Sequence, residues 1–428
     1  MQSSTKKKVL FVFPTAWDKR QLSACRPLWD EQFEILFADP ADADCPYDFD
    51  ILGFIDETAE RYRGTIAGVA SSSDYPGATV AGAISMRLGL PGSPPETLIR
   101  CSHKYYSRLG QREAAPEATP GFQLLDPRKP VEAQASLPFP LFVKPVKGAF
   151  SVLARRVDTL SDLKDFFTHA ATAEFIEDYM RIFNKLVAGL TDFAINGSYF
   201  IAEELLQGQQ TTLEGFAAGG KVEILGIVDS VLHPGSNSFA QFIYPSSLSA
   251  EIQDRMADIA RRVMLHLGLA HTLFNIEMIY DAASGSIHII EINPRLCGQF
   301  ADLYEKVDGT NGYEVALALA TGEHPQLKKR AGRHKLAASV PLRVFEPVCV
   351  RNAPCQEDVR AAETLCPGTL VWSECEAGQE MADFAWLEDG QSARYGIINL
   401  GADDRASLAA RLEQVQTRLG FRFSPIAR

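Results

Sequence analysis

Two glutamates and an asparagine at the end of one apolar stretch are the residues best spaced to do chemistry. Residues 271–295 read His-Thr-Leu-Phe-Asn-Ile-Glu-Met-Ile-Tyr-Asp-Ala-Ala-Ser-Gly-Ser-Ile-His-Ile-Ile-Glu-Ile-Asn-Pro-Arg. The runs 273–280 and 287–292 are rich in β-branched residues and separated by small ones, which predicts a β-hairpin. Side chains alternate along a strand, so Glu291 and Asn293 share a face. With the turn over 282–286, Asp281 pairs with Ile287 and Glu277 falls directly opposite Glu291. Like charges facing each other across a sheet are destabilising, and burying an unpaired carboxylate costs more. A divalent cation resolves that conflict. Two carboxylates and an amide oxygen suit Mg²⁺, which takes hard oxygen ligands and commonly shares its shell with phosphates. Arg295, after the strand-ending Pro294, sets a guanidinium beside the cluster, suited to a phosphate or a carboxylate. The plainer alternative is a hairpin with one solvated face.

Lysines form a second set. Residues 140–151 read Pro-Leu-Phe-Val-Lys-Pro-Val-Lys-Gly-Ala-Phe-Ser. A strand over 141–143 ends at Lys144-Pro145, and a loop holding Gly148 and Ser151 leads to a strand over 152–157. Lysine at the end of an apolar strand is costly to bury without an anion, and a small-residue loop can fold its N–H groups over phosphates. A plain hairpin with a snorkelling lysine is the alternative. In a helix expected over 95–112, Lys104 and Arg108 stand four apart on one face. That face serves an anion or is merely solvated.

The elements that must position these groups follow from pattern. Val-Leu-Phe-Val-Phe-Pro (9–14) is an unbroken apolar run, as in a buried parallel strand. Residues 33–37, 51–54 and 66–70 read as further strands, and Pro76-Gly77 opens a helix over 78–88 closed by Gly89. The alternation predicts a doubly wound α/β domain over 1–95. It holds no G-x-G-x-x-G or G-x-x-x-x-G-K-[ST] loop, so ordinary dinucleotide or P-loop binding is not indicated. Breakers in 89–95 mark a boundary, and 113–138 is a proline-rich connection. Ser161 is expected to cap a helix over 161–169, with irregular helix over 174–193. Strands are expected at 200–206, 211–217 and 221–230. Ser249 caps an amphipathic helix carrying Ile252, Met256, Ile259, Val263 and Leu267 at three- and four-residue spacing, and Gly268 ends it. A helix over 313–320 precedes a basic linker at 328–335. The last module is expected to hold strands at 340–344 and 395–400 and a helix at 404–419, with no chemical constellation of its own.

The whole chain narrows the classes. Its 428 residues suffice for two or three domains. A formal net charge of −12 argues against a nucleic-acid surface or a polybasic membrane anchor. No apolar run approaches the roughly 18–20 residues of a membrane span, and no signal-peptide core follows the first Met. A cytoplasmic chain is expected. The eight cysteines form no CxxC pair or zinc spacing, so free thiols are expected. Cys297 is expected to act as a small packing residue.

In this order and spacing, these motifs resemble the ATP-grasp superfamily, and within it carboxylate–amine ligases of the L-amino-acid-ligase type. The matching residues are Lys104 with Arg108, Phe-Val-Lys-Pro (142–145) with the loop through Ser151, Glu-Glu-Leu-Leu-Gln-Gly (203–208), Phe-Asn-Ile-Glu (274–277) and Ile-Glu-Ile-Asn-Pro-Arg (290–295). The resemblance implies an α/β and α+β multidomain chain. An α/β domain (1–95) precedes an ATP-grasp domain (96–325), with a central lobe over 113–203, a hinge at 203–208 and a second lobe over 209–325. A small α+β module (326–428) follows, expected to form part of the acceptor pocket, to act as a lid or to support a homodimer. The resemblance further implies that Lys104 and Lys144 contact ATP phosphates, with the 147–151 loop, including Gly148 and Ser151, closing over them. Glu203, Glu204 and Leu206 would form the hinge, the backbone of Glu204 and Leu206 meeting adenine. Gln210 stands where many relatives carry a ribose-binding Glu. Glu277, Glu291 and Asn293 would bind two Mg²⁺ ions, with Mn²⁺ a substitute. Arg295 would stabilise charge at the transferring phosphoryl group, and Asn275, Arg295 and Gly298 would meet substrate. The implied activity joins a small carboxylate, such as an amino acid, to an amine through an acyl phosphate, with small molecules as its partners. A phosphotransferase and a non-catalytic nucleotide-binding protein are the competing readings.

Overall fold

The computed structural model describes residues 6–40, 49–148, 152–382 and 392–426. Strand β1 (Lys7–Val12) is the predicted apolar run. It lies between β2 (Phe33–Ala38) and β3 (Gly68–Ala70), all parallel, with Val9 to Val12 fully buried. Helix α1 (Ala16–Ala24) starts at a capping box of Thr15 and Asp18. Residues 51–54 are not a strand. They open helix α2 (Ile51–Tyr62), capped by the Asp50 carboxylate. A four-residue apolar run fits either period, but Ile51, Ile55 and Ala59 recur every fourth position and form the buried stripe of a helix. Helix α3 (Gly77–Leu88) ends at Gly89 as expected.

The helix expected over 95–112 is two helices, α4 (Pro95–Ser102) and α5 (Lys104–Ala114). The break is at His103, whose backbone is extended. It turns the first peptide N–H of α5 onto the Val146 carbonyl at 2.7 Å, tying Lys104 to the segment that follows Lys144. His103 is fully buried, and burial pushes its pKa down to about 4. The unfolded chain takes up this proton near pH 6.5 and the folded chain only near 4, so stability falls as pH drops through that window. By pH 5 the loss is about 2 kcal/mol. Urea denaturation at pH 7.5 and 5 is expected to show this loss, and His103→Gln is expected to flatten that part of the slope.

The central lobe is an antiparallel sheet ordered β4-β7-β5-β6, from β4 (Phe122–Leu125), β5 (Leu141–Pro145), β6 (Arg155–Val157) and β7 (Phe200–Glu204). Its helix Leu160–Thr168 is capped by Thr159, not Ser161, because Asp162 at the third helical position completes a capping box with Thr159. Ser151 lies outside the described residues. Gly208 then turns the chain at φ +133, where a Cβ would meet the Tyr280 carbonyl oxygen at 2.1 Å.

One antiparallel sheet of eight strands and one small sheet make the rest. Strands β8 (Gln209–Ala218), β9 (Lys221–Leu232) and β10 (Phe239–Tyr244) precede the amphipathic helix α6 (Ala250–Leu267). Strands β11 (Thr272–Asp281) and β12 (Ser286–Asn293) form the hairpin. Helices α7 (Ala301–Asp308) and α8 (Gly312–Ala320) follow, then β13 (Leu336–Val344), β14 (Val348–Asn352), β15 (Leu370–Ser373), β16 (Glu380–Met381), β17 (Ala393–Ala402) and β18 (Arg422–Pro425). The order β12-β11-β8-β9-β10-β13-β17-β15 runs without interruption across residue 325. Strands β14, β16 and β18 form a separate small sheet. Helix α6 packs Met256, Ile259, Val263 and Leu267 against Leu213, Phe274 and Ile276 of the large sheet. Among the described residues, no helix is long and apolar enough to cross a membrane.

Candidate nucleotide and acyl-transfer site

Glu277 does face Glu291, by a route the residue count does not anticipate. The turn closes one residue tighter than expected, pairing Asp281 with Ser286 rather than Ile287. A bulge then leaves Ile290 without a partner on β11, which brings Glu277 back opposite Glu291. The Ile290 carbonyl accepts from Arg108 Nη2 at 2.8 Å and Lys144 Nζ at 3.1 Å.

Strand pairing then builds two rows on one face. Thr212, Glu277 and Glu291 stand side by side across β8, β11 and β12, and Glu214, Asn275 and Asn293 form the next row. Burial, reinforced by the Glu291 charge, pushes the Glu277 carboxyl well above the usual carboxylate range. Burial acts the same way on Glu291, but the ammonium groups of Lys104 and Lys144 overcome it and hold that carboxylate low. Gln210 Nε2 donates to Glu277 at 2.9 Å, and Asn293 Nδ2 to Glu291 at 3.3 Å.

The cations come from the other lobe and from α5. Lys104 Nζ lies 3.1 Å from Glu291 and 3.5 Å from the Gly148 carbonyl. Lys144 Nζ is 2.8 Å from Glu203 Oε2, and Arg108 Nε is 2.7 Å from Glu203 Oε1. The anion a buried strand-end lysine requires is therefore supplied by the protein, in the Arg108–Glu203–Lys144 triad. Burial would raise Glu203, and its two cations keep it ionised. Lys104 and Arg108 share the expected helix face, but that face is buried, not solvated.

The residues expected at the hinge separate. Glu203 points into the cluster, whereas Glu204 points away and accepts from the Gly121 N–H at 3.0 Å, as alternation along β7 requires. Leu206 lies in the short link between β7 and β8.

Around Arg295 lie residues that the motifs do not single out. Asp74, in the loop after β3, meets Lys147 at 2.8 Å across the cleft between the first domain and the central lobe. Burial opposes its ionisation, but Lys147 and Arg295 hold Asp74 below the usual range. Asp74 Oδ1 and Arg295 Nη1 are buried without a hydrogen-bond partner among the described residues. Glu214 accepts from Asn275 Nδ2 at 3.4 Å and the Cys297 N–H at 3.1 Å, and burial pushes its carboxyl up to about 7. Gly298 lies on the far side of this loop, where its carbonyl accepts from Trp17. Glu214 carries a sequence signal, a charged residue in the otherwise apolar run Leu-Glu-Gly-Phe. Asp74 carries only a serine-rich loop after a short strand.

Two opposed carboxylates and an amide oxygen are a donor set for a hard divalent cation, and the raised Glu277 carboxyl marks a charge conflict that such an ion relieves. Among the described residues, no cluster of three His, Cys, Asp or Glu side chains is arranged to hold a metal unaided. The set is completed by whatever oxygen ligands arrive with the ion.

Residues 137–302 match the family model for the ATP-grasp domain. An uncharacterized protein, y4rH, of Sinorhizobium fredii is 28% identical over 283 residues, 64% of this chain and 53% of that protein. D-alanine–D-alanine ligase of Anaplasma marginale is 26% identical over 178 residues, 41% of this chain and 46% of that enzyme. The matches thus span about half the length of these curated relatives. The crystal structure of the L-amino acid ligase from Bacillus licheniformis superposes with a TM-score of 0.73 at 16% identity, covering 99% of this chain and 100% of that one. The chain carries an ATP-grasp domain, with the ATP-grasp fold.

Proposed function

We propose that the protein is an ATP-dependent ligase that activates a small carboxylate, of amino-acid type, as an acyl phosphate and joins it to an amine. The observation that carries this reading is the opposed pair Glu277 and Glu291, ringed by Lys104 and Lys144. The nucleotide-binding part is taken as 96–325, hinged at 203–208, with 1–95 and 326–428 flanking it.

The self-neutralised arrangement supports the reading. Lys104 is held by Glu291 and can turn to a phosphate oxygen, which frees Glu291 for a cation. Glu277, Glu291 and Asn293 would hold Mg²⁺, which would supply charge neutralisation to the phosphates. Lys144 stays anchored by Glu203 and the Ile290 carbonyl, so its ammonium costs little reorganisation when phosphates arrive. Gln210 is placed to reach a ribose hydroxyl only by releasing Glu277.

A substrate carboxylate oxygen attacks the γ-phosphorus, the bond to the β–γ bridging oxygen breaks, and ADP leaves. The amine nitrogen then attacks the acyl carbon and loses a proton as phosphate departs. Arg295 meets the carboxylate and then the acyl phosphate through its unpartnered Nη1. The unpartnered Asp74 oxygen nearby suits an ammonium group, so the two together favour a zwitterion.

Purified protein with Mg²⁺ and ATP, screened against pairs of amino acids and other small acids and amines, is expected to release ADP only when both partners are present, with an amide in the product mass spectrum. A stable phosphorylated product without amide would replace this reading with a phosphotransferase. ATP binding without turnover across the panel would replace it with a non-catalytic protein.

A further inference from the structure

The loop 296–300, directly after Arg295, is held from outside by two parts of the chain that are far apart in sequence. The Gly298 carbonyl accepts from Trp17 Nε1 at 3.1 Å and Gln21 Nε2 at 3.3 Å, both on α1. The Gln299 carbonyl accepts from Asn399 Nδ2 at 2.7 Å, and the Gln299 side chain donates to Ser339 Oγ at 2.8 Å. Ser339 and Asn399 are cross-strand partners on β13 and β17. Gln21 and Asn399 converge on Asp302 Oδ1, at 3.0 and 2.6 Å, and Asp302 is paired with Lys306.

This node is buried: Gln21 and Asn399 are 0% exposed and Asp302 2%. A carboxylate only accepts, so both amides must turn their NH₂ groups toward Asp302. That leaves Gln21 Oε1 and Asn399 Oδ1 buried without partners. Orphaned buried acceptors are costly, so the arrangement is not the one stability alone selects. Its effect is to fix two consecutive carbonyls. On its inner side the same loop gives its Cys297 N–H to Glu214 and follows Arg295 directly. Gly298 is itself closely packed, since a Cβ there would meet the Tyr313 hydroxyl at 2.6 Å and Asp18 at 3.1 Å.

We propose that Gln21 and Asn399 are positioning residues: by clamping the loop 296–300 they hold the Arg295–Glu214 side of the site in register with the nucleotide side. The C-terminal strands thereby couple acyl phosphate formation to its capture. The inference rests on the ligase reading for what is coupled, but not for the clamp itself. Lys104, Lys144, Glu277 and Glu291 sit on other elements, so loosening the clamp spares nucleotide binding, slows attack by the carboxylate that Arg295 holds, and lets the acyl phosphate that still forms meet water.

The test uses full-length Asn399→Ala and Gln21→Ala, with Cys297 as a reporter in the loop. Alkylation mapped by mass spectrometry is expected to speed up at Cys297 by about tenfold or more through local opening, with the buried Cys25 and Cys101 unchanged. ADP formed per amide is expected to rise while the nucleotide affinity holds. Unchanged Cys297 labelling, or a rise shared by Cys25 and Cys101, overturns the clamp. Faster Cys297 labelling with an unaltered ADP-to-amide ratio overturns the coupling. If the wild-type protein makes no amide, the ligase reading fails, and the labelling arm still decides the clamp.

Discussion

Glu277→Gln is expected to make the protein more stable and inactive at once. Glu277 is half-buried opposite Glu291 and held off its charged form by desolvation and by that neighbour. An amide keeps the shape and removes the repulsion, for which about 1 kcal/mol and a rise of a few degrees in Tm is expected. The same change removes an oxygen ligand for the cation on which the proposed phosphoryl transfer depends. ADP formation is expected to fall about 10²–10³-fold or more. Calorimetry without nucleotide, beside a phosphate-release assay, checks both halves. A variant that turns over normally would reject the cation assignment, and one that loses stability would mean Gln210 and the lysines already neutralise the pair. Functional residues that cost stability are expected where a site must receive a charge that is not yet there.

Arg295→Lys is expected to separate nucleotide binding from chemistry. Arg295 is half-buried beside Asp74, Glu214 and Glu291, with Nη1 buried and unpartnered among the described residues. Lysine keeps the charge but loses the planar fork, so it cannot hold a carboxylate or acyl phosphate by two parallel bonds. For the carboxylate substrate, kcat/KM is expected to fall about 10²–10³-fold. The nucleotide Kd is expected to stay within about threefold, because the lysine contacts lie on other elements. Isothermal titration with a non-hydrolysable nucleotide and steady-state kinetics on the carboxylate make the comparison. An equal loss in both would place Arg295 in the nucleotide site instead.

What could be read in advance depended on how local the physics was. The hairpin of β11 and β12 was legible because β-branched runs, a small-residue turn and charged residues at alternating positions all lie within twenty-odd residues. Even there, the bulge at Ile290 was not, since it is chosen by what its carbonyl binds on β5 and α5. Residues 51–54 were misread because a short apolar run is ambiguous and the deciding cap, Asp50, precedes it. Glu203 was found as a hinge residue, but its buried ion triad was not, because its partners come from α5 and β5. Asp74 and Lys147 belong to different lobes and meet only after folding. The C-terminal strands carried no chemical motif, and what they touch is a loop a hundred residues earlier in the chain.

The unbroken eight-stranded sheet has an implication for how this protein can be divided. The family match stops at residue 302, yet β10 is hydrogen-bonded to β13 along one flank. A chain ending near 325 would leave the β13-facing amides and carbonyls of Phe242–Tyr244 open to water as a raw edge, a template for pairing with any other exposed strand. Strands β13, β17 and β15 are thus the closing margin of the sheet that carries Glu277 and Glu291, and shortening the chain there is expected to yield an aggregate.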